Sequence, residues 1–225
     1  MVITLDGPAA AGKSTVARRL AGRLGVRYLD TGAMYRAVTH EALRSGVDMD
    51  DPEQLARLAR RTRIELRPDG RGLRVFCEGR DVTDEIRSPE VTANIYRVAD
   101  RPEVRQALRA RQREFARRCD LVAEGRDQGT EVFPDAEVKF FLDASLEERA
   151  RRRQRDLRAD GCEAALDEVM AQVARRDARD SSRPVGALRR LDDMVLIDST
   201  KMAVDEVVEA MVAEIERRGL MPGRT

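Results

Sequence analysis

Tryptophan is absent from this 225-residue chain, aromatic side chains make up only 4% of it, and histidine occurs once, at His40. A single histidine excludes a His-rich metal centre, because zinc and related sites draw several imidazoles or thiolates together. The scarcity of aromatics argues against stacking platforms for single-stranded nucleic acid. The three cysteines, Cys77, Cys119 and Cys162, are odd in number and form no C-x-x-C pair. That argues against a disulfide framework or a zinc site and fits a reducing compartment, with the cytoplasm as the expected location. No apolar run reaches membrane-spanning length, and the start of the chain reads as a strand, not a signal peptide. Charge of one sign is also missing: 42 basic residues stand against 41 acidic ones, a net charge of +1. Such a balance gives no general pull toward nucleic acid or an anionic membrane, so any cationic site must be local.

Lysine is rare as well, occurring only at Lys13, Lys139 and Lys201; every other basic residue is arginine. The placement of Lys13 is therefore informative. It closes the stretch GPAAAGKST, Gly7 to Thr15, in which Gly7, Gly12, Lys13 and Ser14 satisfy the pattern G-x-x-x-x-G-K-[ST]. Small residues let backbone N–H groups converge on a phosphate at a helix N-terminus, and a compact ammonium follows the β- and γ-phosphates as a point charge. The context is the one this loop requires. An apolar run, Val2 to Leu5, precedes it, and Val16, Leu20 and Leu24 behind it share one helical face that Gly25 stops.

VRYLD, ending at Asp30, reads as the next strand, followed later by LVAEGRD from Leu121, VKFFLDAS from Val138 and DMVLIDST from Asp193. Strand, phosphate loop, helix, strand opens a parallel α/β sheet whose sites lie at the strand C-ends. A last helix carries Val204, Val207, Val208, Met211, Val212 and Ile215 on one face, most simply as core. One segment breaks the rhythm. From Arg63 to Thr83 the chain alternates around Pro-Asp-Gly, a hairpin signal and hence a small β insertion. Helices around Glu103–Arg118 and Leu146–Arg158 are rich in arginine, and no repeat or linker interrupts the chain. A single domain with appended subdomains is expected.

In the phosphate loop, Lys13 would neutralise the β- and γ-phosphates and Ser14 would offer a hydroxyl to Mg²⁺. A switch GTPase would also need a guanine-reading N-K-x-D string, and none occurs. Instead, DTGAMYR and EGRDQGT place Arg36 and Arg126 in loops after predicted strands, on the sheet edge that carries the phosphate loop. Two guanidiniums there suggest a second anionic group opposite the nucleotide, although a surface ion pair is the ordinary use of any one arginine. Phosphoryl transfer needs an acceptor held in line and its charge compensated, not a general base, since a phosphate oxygen is already ionised near neutral pH.

The stretches DGPAAAGKST, LDTGAMYRA, AEGRDQGTEVFPDA, FLDASLEERARRR and LIDST, in this order over nearly the whole chain, resemble the bacterial cytidylate kinases. The resemblance implies transfer of the γ-phosphoryl of ATP to CMP or dCMP with Mg²⁺. It implies an α/β fold: a parallel-sheet P-loop kinase core with helices on both faces, a β-containing NMP-binding insertion and a short arginine-rich lid. The core would span about 1–36, 116–146 and 162–225, the acceptor subdomain about 37–115 and the lid about 147–161. Carried over by motif, Gly7, Pro8, Ala9, Ala10, Ala11, Gly12, Lys13, Ser14 and Thr15 would form the ATP site, with Ser14 toward the metal. Arg36 and Arg126 would hold the CMP phosphate. Thr31, Arg105 and Asp127 would face cytosine, and Arg176, Asp180 and Arg183 would reach the ribose and the acceptor side. Lys13, Arg126, Arg152 and Arg153 would act on the transferring group. Arg149, Arg152 and Arg153 share a helical face at i, i+3 and i+4, and a solvated charged helix is the alternative for each.

The chemistry of the base fits this assignment. Cytosine offers an N4 donor beside N3 and O2 acceptors, which suits a carboxylate paired with an arginine. Uracil would set its O4 acceptor against Asp127 and leave a buried charge poorly paired. Two other classes stay open: a phosphate-loop kinase with another acceptor, and a nucleotide-dependent binding protein or ATPase that uses its arginines on nucleic acid. The expectation is a monomer acting on the small molecules CMP and dCMP, with neither nucleic acid nor membrane as partner.

Overall fold

The structure is a computed structural model that describes residues 1–69, 72–159 and 161–221. The apolar opening run forms β1 (Val2–Asp6), which ends where the glycine-rich stretch begins. α1 (Lys13–Leu24) follows, and Gly25 closes it at φ 70, a left-handed turn that glycine adopts without a Cβ clash. β2 (Arg27–Asp30) leads directly into α2 (Thr31–Ser45), where the Asp30 carboxylate accepts from the Ala33 N–H at 2.8 Å and caps the helix. α3 (Pro52–Arg61) begins the same way, with Asp51 as cap and proline in the first turn.

The hairpin signal resolves into β3 (Ile64–Asp69) and β4 (Gly72–Cys77), paired antiparallel with Ile64 opposite Cys77, and β5 (Arg80–Asp81) adds a third short strand. The Gly70 of the expected turn lies outside the described residues. A single 3₁₀ turn (Glu85–Arg87) leads to α4 (Pro89–Ala99) and α5 (Pro102–Ala116), each with proline in its first turn. β6 (Leu121–Gly125) is followed by a π-helical turn (Gln128–Val132), β7 (Val138–Asp143), α6 (Leu146–Ala159), α7 (Leu166–Ser182), β8 (Val195–Asp198) and α8 (Val204–Arg217). Asp160, inside the stretch expected to form the lid, lies outside the described residues.

The main sheet has five strands in the order β2-β6-β1-β7-β8, with β1 central and parallel to both β6 and β7. Register places Asp6 beside Gly125 on one side and beside Phe141 on the other. The chain thus leaves the middle strand at the point where the sheet order splits to either side, the crevice where open α/β sheets bind ligands. Ile3, Leu5, Phe140 and Leu142 are fully buried, with Val16 and Leu20 of α1 and Met211 and Ile215 of α8 in the same cluster. Burying each such side chain contributes about 1.5–3 kcal/mol.

The chain divides into two compact units, one of Met1–Tyr28 with the segment from Cys119 onward, the other of Leu29–Arg118. The first holds the phosphate loop, β6 to β8, α1 and α6 to α8. In the second, Ala33 and Ala37 of α2 pack on Val75 and Cys77 of β4, with Val82 and Ile86 completing a separate small core. The division falls at Leu29, earlier than the expected edge near residue 36, because α2 packs on this second core.

Candidate functional site

The glycine-rich loop is shaped by close approach. At Gly7, φ is 154, and an added Cβ would stand 2.0 Å from the Leu142 carbonyl oxygen of β7. Gly12 caps α1 at φ 90, and Ala10 is held at φ 59, a left-handed conformation that alanine rarely adopts. Strain of this kind in a ligand-binding loop is a sign of preorganisation. Lys13 lies buried in the loop with its Nζ donating to the Pro8 carbonyl oxygen at 2.6 Å. Burial pushes its pKa down to about 7, and the Arg126 and Arg176 guanidiniums push the same way against Glu124 and Asp180.

Two arginines of α6 grip the carbonyls of this loop. Arg149 is buried and donates through Nε to the Ala144 oxygen at 2.9 Å and through Nη1 to the Ala9 oxygen at 3.1 Å. The same Nη1 pairs with the Asp177 carboxylate of α7, which also accepts the Ala9 N–H at 3.0 Å. Both polar groups of the Ala9 peptide are therefore held by one ion pair. Arg152 donates from Nη1 to the Ala11 oxygen at 3.0 Å and from Nη2 to the Ser199 oxygen at 2.7 Å, while Glu148 takes its Nε at 2.9 Å. Arg153, on the adjoining face, makes no hydrogen bond or ion pair among the described residues.

The loop after β6 carries Arg126 and Asp127. Asp6, fully buried at the end of β1, accepts from the Gln128 N–H at 2.9 Å and the Gly129 N–H at 2.7 Å. Burial raises its pKa to about 6, with the Asp127 charge adding to the rise and the two N–H donors and Lys13 opposing it. Arg126 pairs through Nε with Asp180 of α7 at 2.7 Å, and Arg183 reaches the other oxygen of Asp180 at 2.6 Å. Although burial disfavours its charge, Asp180 is held below the ordinary carboxylate range by Arg126, Arg183 and Arg176. Asp180, expected at a ribose, thus has both oxygens engaged in orienting arginines. Glu124 is buried at the end of β6 and accepts from the Tyr28 hydroxyl at 2.6 Å.

Of the remaining expected contacts, Thr31, Arg36 and Arg105 belong to the second unit. Thr31 is buried at the start of α2. Arg36 donates to the Ile86 oxygen at 3.2 Å and the Thr92 hydroxyl at 2.9 Å. Arg105 is 2% exposed, donates to the Ala99 oxygen at 2.9 Å, and sets its guanidinium 5.2 Å from the Tyr35 ring centroid. Sequence reasoning expected Arg36 and Arg126 on the sheet edge that carries the phosphate loop; Arg126 lies in the unit that holds that loop and Arg36 in the other. It missed Asp6, Arg149 as a loop holder, and Asp177. For Asp6 a signal existed: it is a carboxylate ending an apolar strand. Asp177 sits in an RRDARD run between two residues given roles by resemblance, Arg176 and Asp180, and nothing local distinguishes it from a solvated helix position.

No group of three or more His, Cys, Asp or Glu side chains placed to hold a metal occurs among the described residues. Nor is any helix among them long and apolar enough to cross a membrane.

Comparison with known proteins gives a consistent result. Residues 3–217 match the family profile described as cytidylate kinase. A cytidylate kinase from Symbiobacterium thermophilum is 51% identical over 96% of this chain and 96% of its own length. One from Geobacillus kaustophilus is 50% identical, again over 96% of both chains. Among solved structures, an uncharacterized protein from Eubacterium ventriosum aligns over 96% of this chain and 98% of its own at TM-score 0.51 and 11% identity, a likeness of fold alone.

Proposed function

Because the chain belongs to the cytidylate kinase family, we propose that it transfers the γ-phosphoryl group of ATP to CMP or dCMP, forming ADP and the corresponding diphosphate. The observation that carries the site reading is electrostatic. Arg126 and Arg176 both add to the larger effect of burial in depressing the pKa of Lys13, against Glu124 and Asp180. Cations gathered on one sheet edge at that cost are stabilised when phosphates arrive among them.

The residues divide by task. Backbone N–H groups from Ala10 to Thr15 and the Lys13 ammonium receive the ATP phosphates, and Lys13 exchanges the Pro8 carbonyl for phosphate oxygen. Arg36 and Arg126 bind the acceptor phosphate, with Asp180 orienting Arg126 and Arg183 for the acceptor side. Thr31, Arg105 and Asp127 read cytosine, and Arg152 supplies charge to the phosphoryl in flight. Arg153 and Arg176 complete the cationic set. An ionised acceptor oxygen attacks the γ-phosphorus in line and the bond to the β-phosphate oxygen breaks, so no protein base is needed. Mg²⁺ fits this chain on chemical grounds: it keeps several waters, binds phosphate oxygens and needs few protein ligands. The exposed Ser14 hydroxyl in the first turn of α1 would hold it, and among the described residues no carboxylate cage competes with it. When bound, Mg²⁺ neutralises charge on the β- and γ-phosphates.

Steady-state ADP release with MgATP and matched CMP, dCMP, UMP, AMP or no acceptor tests the reading. Release dependent on CMP and dCMP, with a diphosphate product, is the expected result. Acceptor-independent hydrolysis, or turnover with AMP alone, would overturn the acceptor assignment and leave only the nucleotide site.

A further inference from the structure

We propose that Asp6 is a positioning residue for the acceptor: it holds the loop carrying Arg126 and Asp127 in register with the phosphate loop. The proposal rests on the reading of Arg126 and Asp127 as acceptor contacts. Its geometry does not. Asp6 engages the strand–loop segment at both ends. Through the sheet it lies beside Gly125, immediately before Arg126. Through its side chain it accepts from Gln128 and Gly129, immediately after Asp127, at 2.9 and 2.7 Å. The two residues with proposed roles are bracketed by one amino acid, and the next residue in the chain is Gly7.

The choice of a carboxylate is informative. The fully buried Asp6 has no arginine or lysine ion-pair partner among the described residues, so its charge is kept at an energetic cost. What it provides is two acceptor oxygens and no donor, matched to two consecutive N–H groups. Those groups begin a π-helical turn, where the first donors have no partner within the turn. Further along, the Val132 N–H returns to the Asp127 oxygen at 3.1 Å and the Phe133 N–H to the Gln128 oxygen at 2.7 Å. The turn is thereby tied to Asp6 at its start and to itself beyond. Packing adds a second constraint: a Cβ on Gly129 would stand 2.8 Å from the Thr4 hydroxyl of β1 and 2.9 Å from the Met194 methyl. The charged groups acting on Asp6 are Asp127 from the loop and Lys13 from α1. Neither is a hydrogen-bond partner of its oxygens, which the loop occupies.

The test compares Asp6→Asn and Gly129→Ala with the wild-type chain. Asparagine keeps the size but turns an NH₂ toward an N–H donor, releasing one of the two bonds; alanine crowds the same loop against Thr4 and Met194. Both variants should raise the KM for CMP about tenfold, the size of one net charge-assisted hydrogen bond, while the KM for ATP stays within about twofold. A role confined to folding would lower kcat with the active fraction and leave both KM values alone. Amide hydrogen exchange gives a readout independent of turnover. In Asp6→Asn, Gln128 and Gly129 should exchange at least about tenfold faster while Ile3 and Val122 of the adjacent strands stay protected. Equal shifts in the two KM values, or unchanged exchange at Gln128 and Gly129, would overturn the proposal. If the wild-type chain forms no CDP, the functional reading fails by itself, and accelerated exchange without any acceptor effect would remove the role assigned to Asp6 in that reaction.

Discussion

At the scale of single residues, the buried charges beside the phosphate loop set the expected response to pH. In the ligand-free chain Lys13 titrates near 7, far below its ordinary value, mainly because burial disfavours the ammonium. A bound triphosphate favours the ammonium, so binding of MgATP at pH 8 should take up close to one proton per site. Calorimetric titration in buffers of different ionisation enthalpy measures this uptake; it should shrink toward zero at pH 6, where Lys13 is already charged. A binding enthalpy independent of buffer at pH 8 would contradict the assignment. Asp6 acts in the opposite direction on stability. Its folded pKa of about 6 lies above the ordinary 3.8, so the folded chain binds this proton more tightly than the unfolded chain. From this group alone, stability is greatest below pH 4 and declines as pH rises to about 6. The stability difference between wild type and Asp6→Asn, from urea melts, should therefore move in favour of wild type as pH falls from 6.5 to 4.5. Gly7 makes the sharpest steric statement: with the Leu142 carbonyl 2.0 Å from an added Cβ, Gly7→Ala must displace backbone of the central sheet. A loss of about 3 kcal/mol or more in urea denaturation is expected.

At the scale of elements, α6 separates what spacing determines from what packing determines. An arginine run at helical spacing identifies the helix and its shared face. It does not say that Arg149 turns inward to the Ala9 peptide and Asp177, that Arg152 reaches Ala11 and Ser199, or that Arg153 does neither. Those outcomes depend on where α7 and the end of β8 lie, which are segments far away in sequence. Replacing Asp177 with alanine leaves the buried Arg149 guanidinium with two carbonyl partners and the more distant Asp143 carboxylate at 4.0 Å. Removing one member of a partly buried pair should cost about 2–3 kcal/mol, visible as a lowered urea midpoint. Arg152→Ala should lower kcat by more than it raises the KM for ATP, since charge on the transferring group matters most in the transition state. The strands were legible for a simpler reason. β1, β6 and β7 are buried apolar runs that end in polar residues, and this pattern survives whatever lies outside them. β5 is only two residues long and has too little sequence to carry a periodic signal.

At the scale of the whole molecule, charge and unit organisation bear on partners. With 42 basic and 41 acidic residues, the surface offers no net field to a polyanion, and many arginines are already paired, among them Arg126, Arg183 and Arg149. Fluorescence anisotropy with a single-stranded oligonucleotide at about 150 mM salt should show no saturable binding. Steep, salt-dependent association would instead favour a nucleic-acid role for the arginines. The residues assigned to the acceptor occur in both compact units, Thr31, Arg36 and Arg105 in one and Arg126, Asp127, Arg176, Asp180 and Arg183 in the other. No sequence spacing announces that grouping.

The amino-acid sequence alone determined the parallel α/β core, the phosphate loop, the hairpin insertion and the resemblance that names the reaction. These depend on local information: apolar runs of strand length, glycines where the backbone must turn, and a lysine placed at a helix N-terminus. Only the tertiary structure decided which carboxylate holds which group. Asp180 binds two arginines, Asp177 holds the phosphate loop, and Asp6 holds the loop after β6. A carboxylate reads the same in sequence whether it is solvated or buried. Its partner, and hence its role, is set by the low-dielectric interior into which the folded chain brings it.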